Sequence, residues 1–241
     1  MTQKEIWLTG APGSHLGANE VHIWRARLNL DSAVFESYST LLSTEEQRRA
    51  AQFKFVRDRA HFTVARAILR QLLGGYLGQA PAEVLIESLK YGKPALTATA
   101  KVPTLRFNLS HSHGMALFAF CLERKVGIDL EKIRPEVASE GIENNFFSTR
   151  ERAELAGLPL ELRAKGFFLC WTRKEAYIKA HGEGLNTNLQ GFDVSLTPDT
   201  PVTLKSSDEE RWSLYSLDPG AGFVGALVVE GQENRLTFWD V

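Results

Sequence analysis

Two stretches of this chain alternate apolar and polar residues in the manner of strands. In Val126-Gly127-Ile128-Asp129-Leu130-Glu131 the apolar Val126, Ile128 and Leu130 point into a core while Asp129 and Glu131 share the opposite face. In Leu105-Arg106-Phe107-Asn108-Leu109-Ser110-His111 the apolar Leu105, Phe107 and Leu109 turn inward, leaving Asn108 and Ser110 opposite and His111 at the strand's end. Val21 to Leu28 is a further strand, and the apolar runs Ala116–Cys121 and Phe223–Val229 read as buried strands. Helical patterns run from Arg59 to Leu73 and from Arg163 to Ala180. In the second, steps of four align Trp171, Glu175 and Lys179 on one face.

These elements come in the same order twice, about 105 residues apart. Val21–Leu28 is followed by Leu42-Ser43-Thr44-Glu45-Glu46, a helix, and the glycines of Gly74-Gly75-Tyr76-Leu77-Gly78. Val126–Glu131 is followed by Phe147-Ser148-Thr149-Arg150-Glu151, a helix, and Gly182-Glu183-Gly184-Leu185. Each Ser-Thr run reads as a helix N-cap and each glycine cluster as a C-terminal stop. The expectation is an α/β (α+β) fold of two similar subdomains, each a small sheet on a long helix. Their boundary falls near Glu123–Lys125, so residues 1–123 form the first unit and 124–241 the second, with a ligand cleft between them. Thr9–Asn19 and Thr97–Thr104 read as loops.

Charge narrows the function. Lys and Arg number 28 against 29 Asp and Glu, so no overall field draws the protein to nucleic acid or to an anionic membrane. A bound phosphate therefore needs a local cluster of cations. The longest apolar run, Met115–Leu122, is well short of the ~20 residues of a spanning helix, and the start Met-Thr-Gln-Lys-Glu carries no apolar signal region. A cytoplasmic protein is expected. Cys121 and Cys170 lie in apolar stretches and read as buried, reduced thiols.

Four clusters carry candidate chemistry. Asp129 and Glu131, side by side on a strand, raise each other's cost of ionisation unless a cation such as Mg²⁺ lies between them, or they are ordinary solvated acids. Gly127 on the same face leaves room for a ligand to approach the backbone. Glu175 and Lys179 lie on a helix that is apolar on several sides, and there they need partners such as a metal and a phosphate. His111, flanked by Ser110 and Ser112, is a candidate phosphate contact, whereas His61, His113 and His181 read as solvated. Tyr91-Gly92-Lys93-Pro94 is a turn whose lysine could reach an anion, and Arg48, Arg49, Arg57 and Arg59 precede it on a face that solvent alone could explain.

Taken in order, Gly92-Lys93-Pro94, Phe107-Asn108-Leu109-Ser110-His111-Ser112, Val126–Glu131, Phe146-Phe147-Ser148 and Trp171-Thr172-Arg173-Lys174-Glu175-Ala176-Tyr177-Ile178-Lys179 resemble the motifs of the long, Sfp-like 4'-phosphopantetheinyl transferases, from about Leu42 to Leu185. The resemblance implies two subdomains about a pseudo-twofold axis, with coenzyme A and Mg²⁺ in the cleft, and a monomer that modifies a serine of an apo acyl or peptidyl carrier protein. It implies Asp129, Glu131 and Glu175 as Mg²⁺ ligands and Glu175 and Lys179 as catalytic residues. Lys179, Arg49, Lys93, Asn108, Ser110 and His111 would hold coenzyme A, with either Glu175 or a metal-ordered water accepting the serine proton. Two rivals remain. A metal-dependent phosphodiester hydrolase acting on a polymer should present a basic surface, and a non-catalytic coenzyme A or carrier-binding module should lack Asp129, Glu175 or Lys179.

Overall fold

The computed structural model describes residues 5–10, 15–89, 92–97, 104–139, 141–182 and 188–241. Tyr91, Glu183–Leu185 and most of the Thr97–Thr104 loop lie outside them. The first half runs β1 (Trp7–Thr9), β2 (Glu20–Arg27), α1 (Ser32–Ser39), α2 (Thr44–Ala51), α3 (Val56–Leu77), β3 (Ile86–Ser88), β4 (Pro94–Leu96), β5 (Leu105–Ser112) and β6 (Met115–Leu122). The second runs β7 (Val126–Lys132), α4 (Glu143–Phe146), α5 (Thr149–Gly157), α6 (Leu160–His181), β8 (Asp193–Val194), β9 (Leu204–Lys205), β10 (Trp212–Leu217), β11 (Phe223–Glu230) and β12 (Arg235–Asp240).

The repeat is real in three dimensions. Strands β2, β6 and β5 are neighbours in that order and antiparallel, and β7, β11 and β10 repeat the arrangement. Both predicted caps are reciprocal capping boxes: Ser43 with Glu46 opens α2, and Ser148 with Glu151 opens α5. Each capping glutamate then meets a buried cation of its own half's long helix. Glu46 Oε2 accepts from Arg70 Nε at 2.6 Å, and Glu151 Oε2 lies 2.8 Å from Lys174 Nζ, so each buried charge is paired. The long helices are longer than the sequence pattern suggests, and both end on a left-handed glycine, Gly78 (φ 66°) and Gly182 (φ 81°).

Helix α3 covers one face of the first sheet with a core that includes Trp24, Ile68, Leu72, Phe107, Phe118 and Phe120. Helix α6 covers the second sheet with Phe167, Phe168, Ala176, Ile178, Ala226 and Val228. The opposite faces of the sheets meet through Val21, Ile23, Leu117, Ala119, Val126, Ile128, Leu130 and Leu227. Strands β6 and β11 therefore have apolar contacts on both faces, which is why they read as unbroken apolar runs.

The last strand departs from the expected division at 123/124. β12 leaves the second half and lies parallel to both β1 and β2, completing the first sheet as β1-β12-β2-β6-β5. Without it the far edge of β2 would expose unpaired amides and carbonyls. Trp239 of β12 stacks on Trp24 at 5.5 Å, so the crossing is also packed.

Candidate active site

Close packing of α6 on β7 builds the site. A Cβ at Gly127 would come within 2.1 Å of the Ala176 carbonyl and 2.3 Å of the Ala180 amide. The glycine thus admits a helix backbone rather than a ligand, which corrects the sequence reading. With Ala176 and Ala180 against the strand, Glu175 and Lys179 flank the carboxylates on the same face of β7. Trp171, Glu175 and Lys179 are all half-buried, as the single helix face predicted for them implies.

The Lys179 ammonium donates to Asp129 Oδ1 at 2.6 Å, to Ser110 Oγ at 3.1 Å and to the Ile128 carbonyl at 3.3 Å. Ser110 Oγ donates to the same Asp129 Oδ1 at 2.8 Å. Asp129 is buried, and its other oxygen, Oδ2, has no hydrogen-bond partner among the described residues. Glu131 accepts from Ser112 Oγ at 2.8 Å. Burial, then the neighbouring Asp129 charge, raises its pKa above the usual carboxylate range. Glu175 is pushed up to about 7, chiefly by burial, then by the charge of Asp129 and more weakly of Glu131, against the pull of Lys179. The charge of Asp129 thus acts on both glutamates, and among the described residues no group of three such side chains is gathered as a metal cage.

The expected cations of the first half are placed as follows. His111 is open to solvent beyond Ser110, and its pKa is lowered, first by partial dehydration and then by the positive charges of Lys179, His61 and Arg66. Arg49 is exposed on α2, with a guanidinium nitrogen 3.8 Å from where a Cβ on Gly92 would stand, which brings it to the turn that carries Lys93.

Two expected coenzyme contacts are engaged elsewhere. Asn108 is buried, and its Oδ1 accepts from the Ile128 amide at 2.8 Å, so this side chain ties β5 to β7. Lys93 Nζ donates to the Lys179 carbonyl at 2.5 Å and to the Val126 carbonyl at 3.4 Å. It neutralises the carbonyl end of α6 by direct contact from the first half. Burial, then repulsion from Lys179, holds its pKa down at about 8.

Two further readings change. His61 is buried and bonded to Asn29 Oδ1 at 2.8 Å, and His181 sits 3.1 Å from Asp208 Oδ2, so neither is simply solvated. Trp171 packs on Phe146 (5.3 Å) and on the core of the second half. Cys121 and Cys170 are buried and free, as expected. Sequence reasoning gave no role to Ser112, although it lies two residues beyond Ser110 on the same face, nor to Arg66, a buried arginine in the middle of α3 whose charge acts on His111.

Comparison with known proteins gives the family. Residues 125–228 match the family model of the 4'-phosphopantetheinyl transferase superfamily, and residues 29–122 match that of 4'-phosphopantetheinyl transferase, N-terminal. The chain is 40% identical to the 4'-phosphopantetheinyl transferase HetI of Nostoc sp., over 98% of both chains. It is 31% identical to the transferase psf-1 of Bacillus pumilus, over 76% of this chain and 78% of that one. To the transferase Sfp of Bacillus subtilis it is 27% identical, over 77% and 81%. Among solved structures, a holo-(acyl-carrier-protein) synthase from Bacillus anthracis in complex with CoA (3',5'-ADP) aligns with 46% of this chain and 96% of its own, at 26% identity and TM-score 0.36.

Proposed function

The chain belongs to the 4'-phosphopantetheinyl transferase superfamily, and on that premise we propose how its residues share the work of moving the 4'-phosphopantetheine arm of coenzyme A onto a carrier-protein serine. The serine oxygen forms a bond to the β-phosphorus, the bond from that phosphorus to the bridging oxygen breaks, and 3',5'-ADP departs. The serine proton must leave as the new bond forms.

The observation that carries the assignment of roles is the contact of Lys179 with Asp129 and Ser110, beside the Glu175 carboxylate, because it joins three elements from both halves at one point. Lys179 balances charge on the phosphate under attack. Glu175, titrating near neutrality, accepts the serine proton. Arg49, Lys93 and His111 face the nucleotide end, with Ser110 between the two groups. Lys93 exchanges its carbonyl partners for phosphate when the nucleotide enters.

The donor set fits Mg²⁺. Asp129 Oδ2 is buried and has no hydrogen-bond partner among the described residues, and Glu131 and Glu175 are carboxylates held reluctant to ionise beside it. Asp129, Glu131 and Glu175 would hold the ion, which when bound offsets the charge of the pyrophosphate. Both walls of the cleft come from one chain, which suits action as a monomer, and two reduced cysteines suit a cytoplasmic setting. Among the described residues no helix is long and apolar enough to cross a membrane.

The test is mass spectrometry of apo acyl and peptidyl carrier proteins incubated with coenzyme A, Mg²⁺ and this protein. A mass gain of one phosphopantetheine, lost in Lys179→Met, is expected. An unchanged rate in Lys179→Met would remove that residue from the mechanism.

A further inference from the structure

β5 lies at the edge of one sheet and β7 at the edge of the other, so no main-chain ladder joins them. Side chains at every second residue of β5 bridge them instead. Asn108 takes the Ile128 amide, Ser110 Oγ donates to Asp129 Oδ1 at 2.8 Å, and Ser112 Oγ donates to Glu131 Oε2 at 2.8 Å. Ser112 is buried, and its oxygen also accepts from the Lys132 amide at 3.3 Å. The remaining neighbour, His113 Nδ1 at 3.1 Å, can donate to it as well. A hydroxyl has one proton, and with an amide fixed on its lone pair that proton is directed to the carboxylate.

Glu131 needs such a constraint. Its side chain is half-buried, turns about three bonds, and has the Arg134 guanidinium 4.0 Å from the same oxygen, Oε2, as a competing partner. We infer that Ser112 is a positioning residue of the transferase: the first half's edge strand aims the second half's Glu131 into the Mg²⁺ site through this hydroxyl. The inference rests on the metal reading given above. Ser112 plays for Glu131 the part that outer hydrogen-bond partners play for metal-ligating carboxylates generally.

Calorimetric titration of Mg²⁺ into the coenzyme A-bound protein, with no carrier present, tests this apart from turnover. Ser112→Ala should weaken Mg²⁺ binding about 10–100-fold. Ser112→Thr, which keeps the hydroxyl, should recover most of the loss. Asn108→Ala, which cuts the same strand contact without touching a carboxylate, should bind Mg²⁺ as the parent does. Should the alanine variant not fold, Ser112→Cys, near in size but a weak donor, reads the same effect. Parental affinity in Ser112→Ala, or an equal loss in Asn108→Ala, overturns the inference. Asp129→Asn keeps the two readings apart: if it alone weakens Mg²⁺, the metal site stands and Ser112 has no part in it. If it too binds as the parent does, the metal reading falls and the inference falls with it.

Discussion

Replacing Glu175 by glutamine keeps the shape of the side chain and removes its charge, which makes it the sharpest probe of the carboxylate cluster. In the folded protein burial and Asp129 raise this pKa from 4.5 to about 7. A shift of that size corresponds to about 3 kcal/mol, because each unit is worth 1.36 kcal/mol. Glu175 is only half-buried, so solvent screening should reduce this to about 1.5–2 kcal/mol. The sign follows from proton counting. The folded state holds its proton more tightly than the unfolded chain, so the stabilising contribution is whole below pH 4.5 and lost as pH rises to about 7. Above pH 7 the parent therefore carries a buried charge that the glutamine variant lacks. In metal-free buffer at pH 8, Glu175→Gln should melt about 3–8 °C above the parent. At pH 5 roughly a quarter of that gap should remain. Added Mg²⁺ should stabilise the parent and close the gap, and the transferase rate of the variant should fall at least about 100-fold. Scanning calorimetry across this pH range decides the matter. A variant no more stable than the parent at pH 8, or a gap that does not change with pH, would show that burial and the neighbouring carboxylates do not raise the pKa of Glu175.

Lys93 is shifted in the opposite sense: its folded pKa of about 8 lies below the ordinary 10.5, so the folded state binds fewer protons than the unfolded chain between those values. Stability relative to Lys93→Met should therefore rise by about 1–2 kcal/mol as pH goes from 8 to 10, read by denaturant titration, and a flat difference would place the ammonium in solvent. Gly127→Ala puts a methyl against the backbone of α6 and should destabilise the protein by about 3 kcal/mol while abolishing transfer; an unchanged urea midpoint would contradict the close approach. Trp171→Ala should cost about 1–3 kcal/mol, less than a fully buried tryptophan, because the side chain is partly exposed; a loss above that range would mean it is fully buried. His111→Ala should weaken coenzyme A binding about 10-fold by calorimetry, with the penalty largely absent for dephospho-coenzyme A. Equal penalties for the two would show that His111 does not contact the phosphate that dephospho-coenzyme A lacks.

Much of this was legible in the sequence, because it depends on local periodicity and capping. Alternation set Asp129 and Glu131 on one face of a strand, spacing by four set Glu175 and Lys179 on one face of a helix, and two Ser-x-x-Glu caps at matching positions disclosed the repeat. What local pattern does not contain is which faces meet. Gly127 looked like room for a ligand because nothing near it in sequence says that α6 packs there, and Lys93 looked free because its carbonyl partners lie in the other half. Asn108 and Ser112 share a strand face with Ser110, yet one secures a backbone amide and the other a carboxylate, a difference set by how β5 crosses β7. The destination of β12 was hidden for the same reason: which edge a strand joins depends on where an unpaired edge is left after the other strands have packed. The residue types and their faces follow from the chain itself. Their partners, and with them the charge each group feels, exist only once the two halves close on one another.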